Sequence, residues 1–124
     1  MTDLSTTADA LLEGLPDLVL VVRRDGVVLQ CGGGHGVPDL RPSRNLAGQR
    51  LEAVWSRPVA SLLRQLARRA ITSRTMTEAR FDEGGCAYEA RASAHGPERA
   101  ICVVRAAAAD GASGLLTDRA SASV

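Results

Sequence analysis

The sequence contains no lysine, and all fifteen of its basic residues are arginine. It holds one tryptophan, one tyrosine and one phenylalanine, so an aromatic wall to stack bases or sandwich a flavin has almost no material. Long hydrophobic runs are missing too. The longest aliphatic stretch, Leu18 to Val22, is five residues, against the roughly 20 that a membrane-spanning helix needs. Asp3, Asp9 and Glu13 occupy the N-terminal stretch, where a secretory signal would be basic and then apolar. The three cysteines, Cys31, Cys86 and Cys102, form no CxxC pair and are odd in number, which argues against a disulfide framework and for a reducing compartment. These absences exclude a membrane, secreted or fibrous protein and predict a cytoplasmic one.

What remains is 124 residues, 45% hydrophobic and 23% charged, the composition of one globular domain. The net charge of +1 conceals an asymmetry. Residues 41–74 carry eight arginines against Glu52 alone, a balance of +7, flanked by −4 before and −2 after. A basic middle could attract nucleic acid or an acidic partner, or be a solvated helix face. Nucleic-acid binding is disfavoured because interleaved aromatics, an anion-binding glycine loop and a recognisable helix pair are all missing.

Leu11, Leu12 and Leu15 fall at helical spacing, with Thr6 or Thr7 as N-cap and Gly14 and Pro16 as a stop, so residues 1–16 are expected to form an amphipathic cap. Leu18 to Arg23 reads as a strand buried on both faces. Arg24-Asp25-Gly26 turns it back into a second strand, Val27 to Gln30. The glycines of Cys31 to Gly36, followed by Pro38 and Pro42, predict a loop. A short helix is expected within Leu46 to Val54. Ser56 and Pro58 open a longer one, whose face of Val59, Leu62, Leu63, Leu66, Ala67, Ala70 and Ile71 repeats at steps of three and four. Three strand-like runs follow, Met76 to Asp82, Cys86 to Ala94 and Arg99 to Arg105, joined by turns short enough to make neighbours antiparallel. The order predicts an α+β fold, a five-stranded antiparallel sheet with helices packed on one face. Residues 107–124, rich in alanine, serine and glycine, read as a linker or tail toward a further domain.

Chemistry-bearing groups are few. Cys31 and His35 are four apart, but zinc wants three or four protein ligands, and Cys86, His95 and Cys102 fall on other elements. Gly32-Gly33-Gly34-His35-Gly36 superficially suggests a phosphate cradle, yet Val37 and Pro38 follow where a helix should start. No Gly-x-Ser-x-Gly elbow is present, and Asp17, Glu52 and Glu89 are indistinguishable from surface carboxylates. The expectation is no enzyme and no metal site. A small α+β enzyme with a closed cavity is kept as the alternative, and a basic nucleic-acid-binding module as a third reading.

From about Ala8 to Arg105 the chain resembles the PAS domain family. Leu15-Pro16-Asp17 and Leu18 to Val22 look like the opening of the first PAS strand, and Arg24-Asp25-Gly26-Val27-Val28-Leu29 is similar to the family's Asp-x-Gly hairpin. Leu46-Ala47-Gly48-Gln49-Arg50-Leu51, then Glu52 to Trp55, resembles the entry to the long helix. Pro58 to Thr72 matches that helix, and Tyr88-Glu89-Ala90-Arg91 the Tyr-Glu-x-Arg element of the fourth strand. Two departures stand out. Cys31 and glycines replace an asparagine common after the second strand, and Ala106-Ala107-Ala108 replaces the frequent Asp-Ile-Thr ending.

The resemblance implies a sensory domain over residues 17–106 that binds a small ligand or a partner, dimerises and relays a signal to an attached effector. A pocket would lie between sheet and helices, lined by Leu20, Val22, Trp55, Leu62, Leu66, Tyr88, Ala90, Ile101 and Val103. The same residues could simply be core. A homodimer would use the cap through Leu4, Leu11, Leu12 and Leu15. Flavin-binding relatives carry a cysteine in Asn-Cys-Arg-Phe-Leu-Gln, which Arg44 to Gln49 lacks. Haem-binding relatives use a histidine near the long helix, and Arg57 to Arg74 has none. Neither cofactor is expected, and an unknown small molecule is left open. Asp110 to Thr117 is faintly similar to the segment opening diguanylate cyclase domains, so the effector could be such a cyclase (GGDEF), a histidine kinase of a two-component system or a transcription regulator.

Overall fold

The computed structural model describes residues 14–42 and 46–107. Along them run β1 (Leu18–Arg23), β2 (Val28–Gly33), a 3-10 turn (Leu51–Ala53), α1 (Arg57–Ser73), β3 (Thr77–Glu83), β4 (Cys86–Ala94) and β5 (Arg99–Ala106). The five strands form one sheet in the order β2-β1-β5-β4-β3, and every neighbouring pair is antiparallel. The first and last strands are therefore central, with Leu18 opposite Val104 and Arg23 opposite Arg99. Helix α1 lies across one face.

Alternation explains which side chains meet the helix, since successive residues of a strand point to opposite faces. Leu18, Leu20 and Val22 of β1 are buried, and so are Tyr88, Ala90 and Ala92 of β4 and Ala100, Cys102 and Val104 of β5. They join Val59, Ala60, Leu63, Leu66, Ala67, Ala70 and Ile71 of α1 in a single core. The expected helix face is the observed one, with Leu62 half-buried at its edge. Where α1 meets β4 and β5, alanines on both sides let backbone approach backbone. Thr77 Oγ1 donates to the Leu66 carbonyl at 3.0 Å, fastening β3 to the middle of α1.

The β1–β2 turn closes through Gly26 N–H to the Arg23 carbonyl at 2.9 Å. Gly26 sits at φ 89°, the left-handed region that a tight hairpin turn requires and that glycine enters without strain. Ser56 is the N-cap residue of helix α1 as expected, though its side chain makes no capping bond. Arg74 ends the helix in the left-handed conformation, its N–H bound to the Ala70 carbonyl.

Three expectations need correction. The glycine-rich stretch is not a loop throughout. β2 runs on to Gly33, with Gly32 and Gly33 opposite Val19 and Leu18; pairing with β1 overrides the poor strand preference of glycine. The glycines serve close approach: the Gly34 N–H reaches the carbonyls of Leu15 and Asp17, and a Cβ on Gly36 would stand 3.1 Å from the Pro16 carbonyl oxygen. The short helix expected within Leu46 to Val54 is only the 3-10 turn, because Gly48 and Gln49 bond to Val28 at the start of β2 and Leu51 to Gly26 of the turn before it. Finally, β1 is fully buried on one face only, Val19 and Val21 being half-buried on the other. The cap residues Leu4, Leu11 and Leu12 and the tail beyond residue 107 lie outside the described residues; Leu15 is exposed.

Candidate functional site

Two surfaces of the sheet are available for function, the face under α1 and the face turned away from it. Of the nine residues expected to line a pocket, Leu20, Val22, Leu66, Tyr88 and Ala90 converge beneath α1 as members of the buried core. Trp55 and Leu62 pack against its edge. The Trp55 indole N–H donates to the Leu40 carbonyl at 2.9 Å, pinning the connector after β2 to the segment that enters α1. Tyr88 is buried and stacks on Phe81 with ring centroids 5.4 Å apart. Burial raises the pKa of its phenol, with a hydrogen bond to Cys86 acting in the same direction.

Ile101 and Val103 are misplaced by the sequence reading. They point away from α1 and line a groove on the outer face together with Asp17, Met76, Glu89, Arg91, Ser93 and Arg105. The register fixes this parity: Ile101 pairs with Val21, and Val103 with Val19, both outward residues of β1. The inward positions of β5 belong to the smaller Ala100, Cys102 and Val104.

The outer groove has a volume of about 270 Å³. Ile101 and Val103 supply its apolar part, and beside it runs a ladder of charges across β3, β4 and β5. Arg80 reaches Glu89 at 2.6 Å, Arg105 reaches the same carboxylate at 3.1 Å, and Arg91 stands 3.6 Å from Glu78. These pairs sit opposite or adjacent in register, the arrangement in which cross-strand charges attract. Burial alone would push Glu89 up, but hydrogen bonds from Arg105 and Arg80 more than offset it and hold the carboxyl below its usual range. Such a carboxylate stays ionised and is a poor proton donor or acceptor at neutral pH.

Cys31 and His35 do not form a metal pair with anything else. Cys31 packs against the core, while His35 is exposed, with Nδ1 3.5 Å from the Arg41 guanidinium. Among the described residues no three His, Cys, Asp or Glu side chains gather as a metal would require. None of the three cysteines is in a disulfide. Nor is any helix among these residues long and apolar enough to cross a membrane.

A sheet of this strand order with one long helix across it defines an α+β sandwich of two layers. The architecture is that of several solved structures. A domain of an HTR-like protein from Haloarcula marismortui superposes with a TM-score of 0.62 at 22% identity, covering 73% of this chain and 97% of that one. The PAS domain of BvgS from Bordetella pertussis gives 0.60 at 14% identity, covering 85% and 87%. The photoactive yellow protein domain of the sensor histidine kinase Ppr from Rhodospirillum centenum gives 0.56 at 22%, covering 78% and 91%. The chain has the PAS fold. No family model matches it, and no curated protein does.

Proposed function

We propose that this chain is a sensory and relay module: it takes up a small ligand or a partner, dimerises, and biases an effector attached to it in the same polypeptide. The observation that carries the reading is the PAS fold itself, a fold that the sensor histidine kinase of Rhodospirillum centenum uses in one of its domains. A diguanylate cyclase, a histidine kinase and a transcription regulator are the effector classes that suit such a module.

The physical basis would be a two-state sheet. A ligand under α1, or a partner on the outer groove, shifts the balance between two packings only as far as its affinities for them differ. The outer groove supports a relay because it joins an apolar floor to a charged rim, the mixture found at protein contacts. Leu4, Leu11, Leu12 and Leu15 are the proposed dimer contacts, and the residues beneath α1 the proposed ligand contacts. The module itself performs no chemistry in this reading, which fits an outer carboxylate held ionised by two arginines.

Native mass spectrometry of freshly purified protein, compared with a denatured sample, tests the reading. A dimer, or excess mass that disappears on denaturation, is the expected result, and Leu11→Glu should reduce the dimer. A bare monomer at every concentration tried, in parent and variant alike, would sink it.

A further inference from the structure

The fold gathers part of the arginine-rich middle of the sequence at one place that the relay reading does not use. On the helix side of the molecule, away from the outer groove, a cleft of about 470 Å³ opens between the β1–β2 turn and α1. Arg23, Arg24, Asp25, Arg64, Arg68 and Glu98 line it. Four guanidinium groups face two carboxylates, and each carboxylate is already taken. Arg23 holds Asp25, which lowers the Asp25 pKa to about 2, and Arg24 holds Glu98 at 3.0 Å. Arg64 is taken by Glu52 from outside the cleft, so the uncompensated positive charge sits on Arg68.

Neither of these two is satisfied within the cleft. Arg64 gives one Nη1–H to Glu52 at 3.1 Å, but its Nε–H is buried without an acceptor. Arg68, one turn further along α1, has no acceptor among the described residues. The Arg64 Nε lies against Gly26 of the turn, so the guanidinium group left open to a ligand is that of the exposed Arg68. The remaining wall is held rigidly: Arg24 also donates to Thr72 Oγ1 at 3.3 Å, and Arg50 to the Asp25 carbonyl at 3.1 Å.

We propose that this cleft binds a small phosphorylated organic molecule. Guanidinium forks match the oxygens of a phosphate in pairs, and a phosphate monoester, anionic at neutral pH, has the sign that the uncompensated Arg68 calls for. The volume lies within the range of small-molecule sites and leaves room for an organic remainder beyond the phosphate. A concave site of this size fits a small molecule better than an extended acidic peptide. The inference is independent of the relay reading, since the cleft lies outside the sheet–helix core.

Glucose 6-phosphate is a suitable probe, with glucose and inorganic phosphate as comparators and hexaglutamate as the acidic peptide. Titration of the labelled full chain, followed by NMR at the arginine Nε–Hε and backbone amide signals, reads the site directly. Saturable shifts are expected at Arg64, Arg68 and residues 24–26 with glucose 6-phosphate, weaker ones with inorganic phosphate, and none with glucose. Arg68→Gln, which breaks no contact among the described residues, should weaken binding at least about tenfold, the value of one charged hydrogen-bonded contact. Arg24→Gln should weaken it as well, and Arg80→Gln on the outer face should leave it unchanged. The proposal is overturned by any of four results: no saturable shift at millimolar concentrations, equal shifts at Arg80, Arg91 and Arg105, unaltered affinity in Arg68→Gln, or tighter binding of hexaglutamate. Inorganic phosphate binding as tightly as glucose 6-phosphate would overturn its organic part.

Discussion

Leu66→Ala is the change that best separates a filled core from a ligand pocket. Leu66 is 1% exposed, on the face of α1 that meets the sheet, and it was named from sequence as a pocket residue. If its side chain is packed on all sides, truncation removes buried apolar surface and leaves a void. Such a change costs about 2–5 kcal/mol, and the alanines of the same core (Ala90, Ala92 and Ala100) carry too little side chain to close the gap. Taking about 3 kcal/mol, with Tm falling about 4–8 °C per kcal/mol in a domain of this size, the expected drop is on the order of 12–24 °C. That is a large share of a typical total stability of about 5–15 kcal/mol. Trp55, the single tryptophan, is half-buried against this core, so its fluorescence follows unfolding in urea. The midpoint should fall with the slope unchanged. Benzene should then partly restore the variant and leave the parent unaffected, as an apolar void of this kind accepts it. The complementary change, Ala90→Leu, should cost about 1–3 kcal/mol by overpacking. A loss under about 1 kcal/mol for Leu66→Ala, with Ala90→Leu tolerated, would refute the packed-core argument and leave open space beneath α1.

Thiol accessibility gives a second check: Cys86 is exposed and Cys102 buried, with its pKa pushed up to about 12 by burial. Cys86 should react with a disulfide reagent at once at pH 8, and Cys102 only as fast as the domain unfolds. Asp25 supplies a pH prediction. Its folded-state pKa of about 2 lies below the ordinary value of 3.8, so its stabilising effect is complete above pH 3.8 and fades as pH falls toward 2. Carbon-detected titration should place its midpoint near 2, and the stability difference between Asp25→Asn and parent should shrink over that window. Glu89→Gln removes the acceptor shared by Arg80 and Arg105. Double-mutant cycles should give about 0.2–1 kcal/mol for each partly exposed pair, lost as pH drops below the ordinary glutamate range. Trp55→Phe deletes the bond to the Leu40 carbonyl and should cost about 0.5–1.5 kcal/mol in denaturant unfolding, with faster amide exchange at Leu40 and Arg41.

Most of the architecture was legible because strand and helix periods differ and the turns are chemically marked. β1, the Asp25-Gly26 turn, the apolar face of α1 and the bounds of β4 all follow from local pattern, and their order was enough to point to the sheet. Parity within β5 was not legible. Ile101-Cys102-Val103-Val104 is apolar throughout, so no alternation says which side faces inward, and size favoured Ile101 and Val103. Only pairing with β1, which puts Cys102 beside Leu20, decides it. The extension of β2 through Gly32 and Gly33 was hidden for a similar reason, being imposed by a neighbour strand rather than by its own residues. Of the nine residues named for a pocket, seven lie in the core or against its edge, where packing alone also puts them. The outer charge ladder was present in the sequence as Glu78 and Arg80 facing Glu89 and Arg91 at alternate positions, but it needs the register to become visible. The arginine cleft was foreshadowed only as a charge imbalance, since half of its guanidinium groups come from β1 and its turn and half from α1.

The central placement of β1 and β5 has a mechanical consequence. Because the two strands are antiparallel neighbours, with Leu18 beside Val104, the chain enters β1 and leaves β5 at the same end of the sheet. A tension applied between those two ends loads the hydrogen bonds across the β1–β5 seam one after another, as a zipper opens, rather than all together in shear. The first rungs to part, those around Leu18 and Val104, lie next to Val103, which lines the outer groove. A pull from a neighbouring domain would thus open the sheet at an interior seam, and whatever occupies the groove would act as the clasp on that zipper.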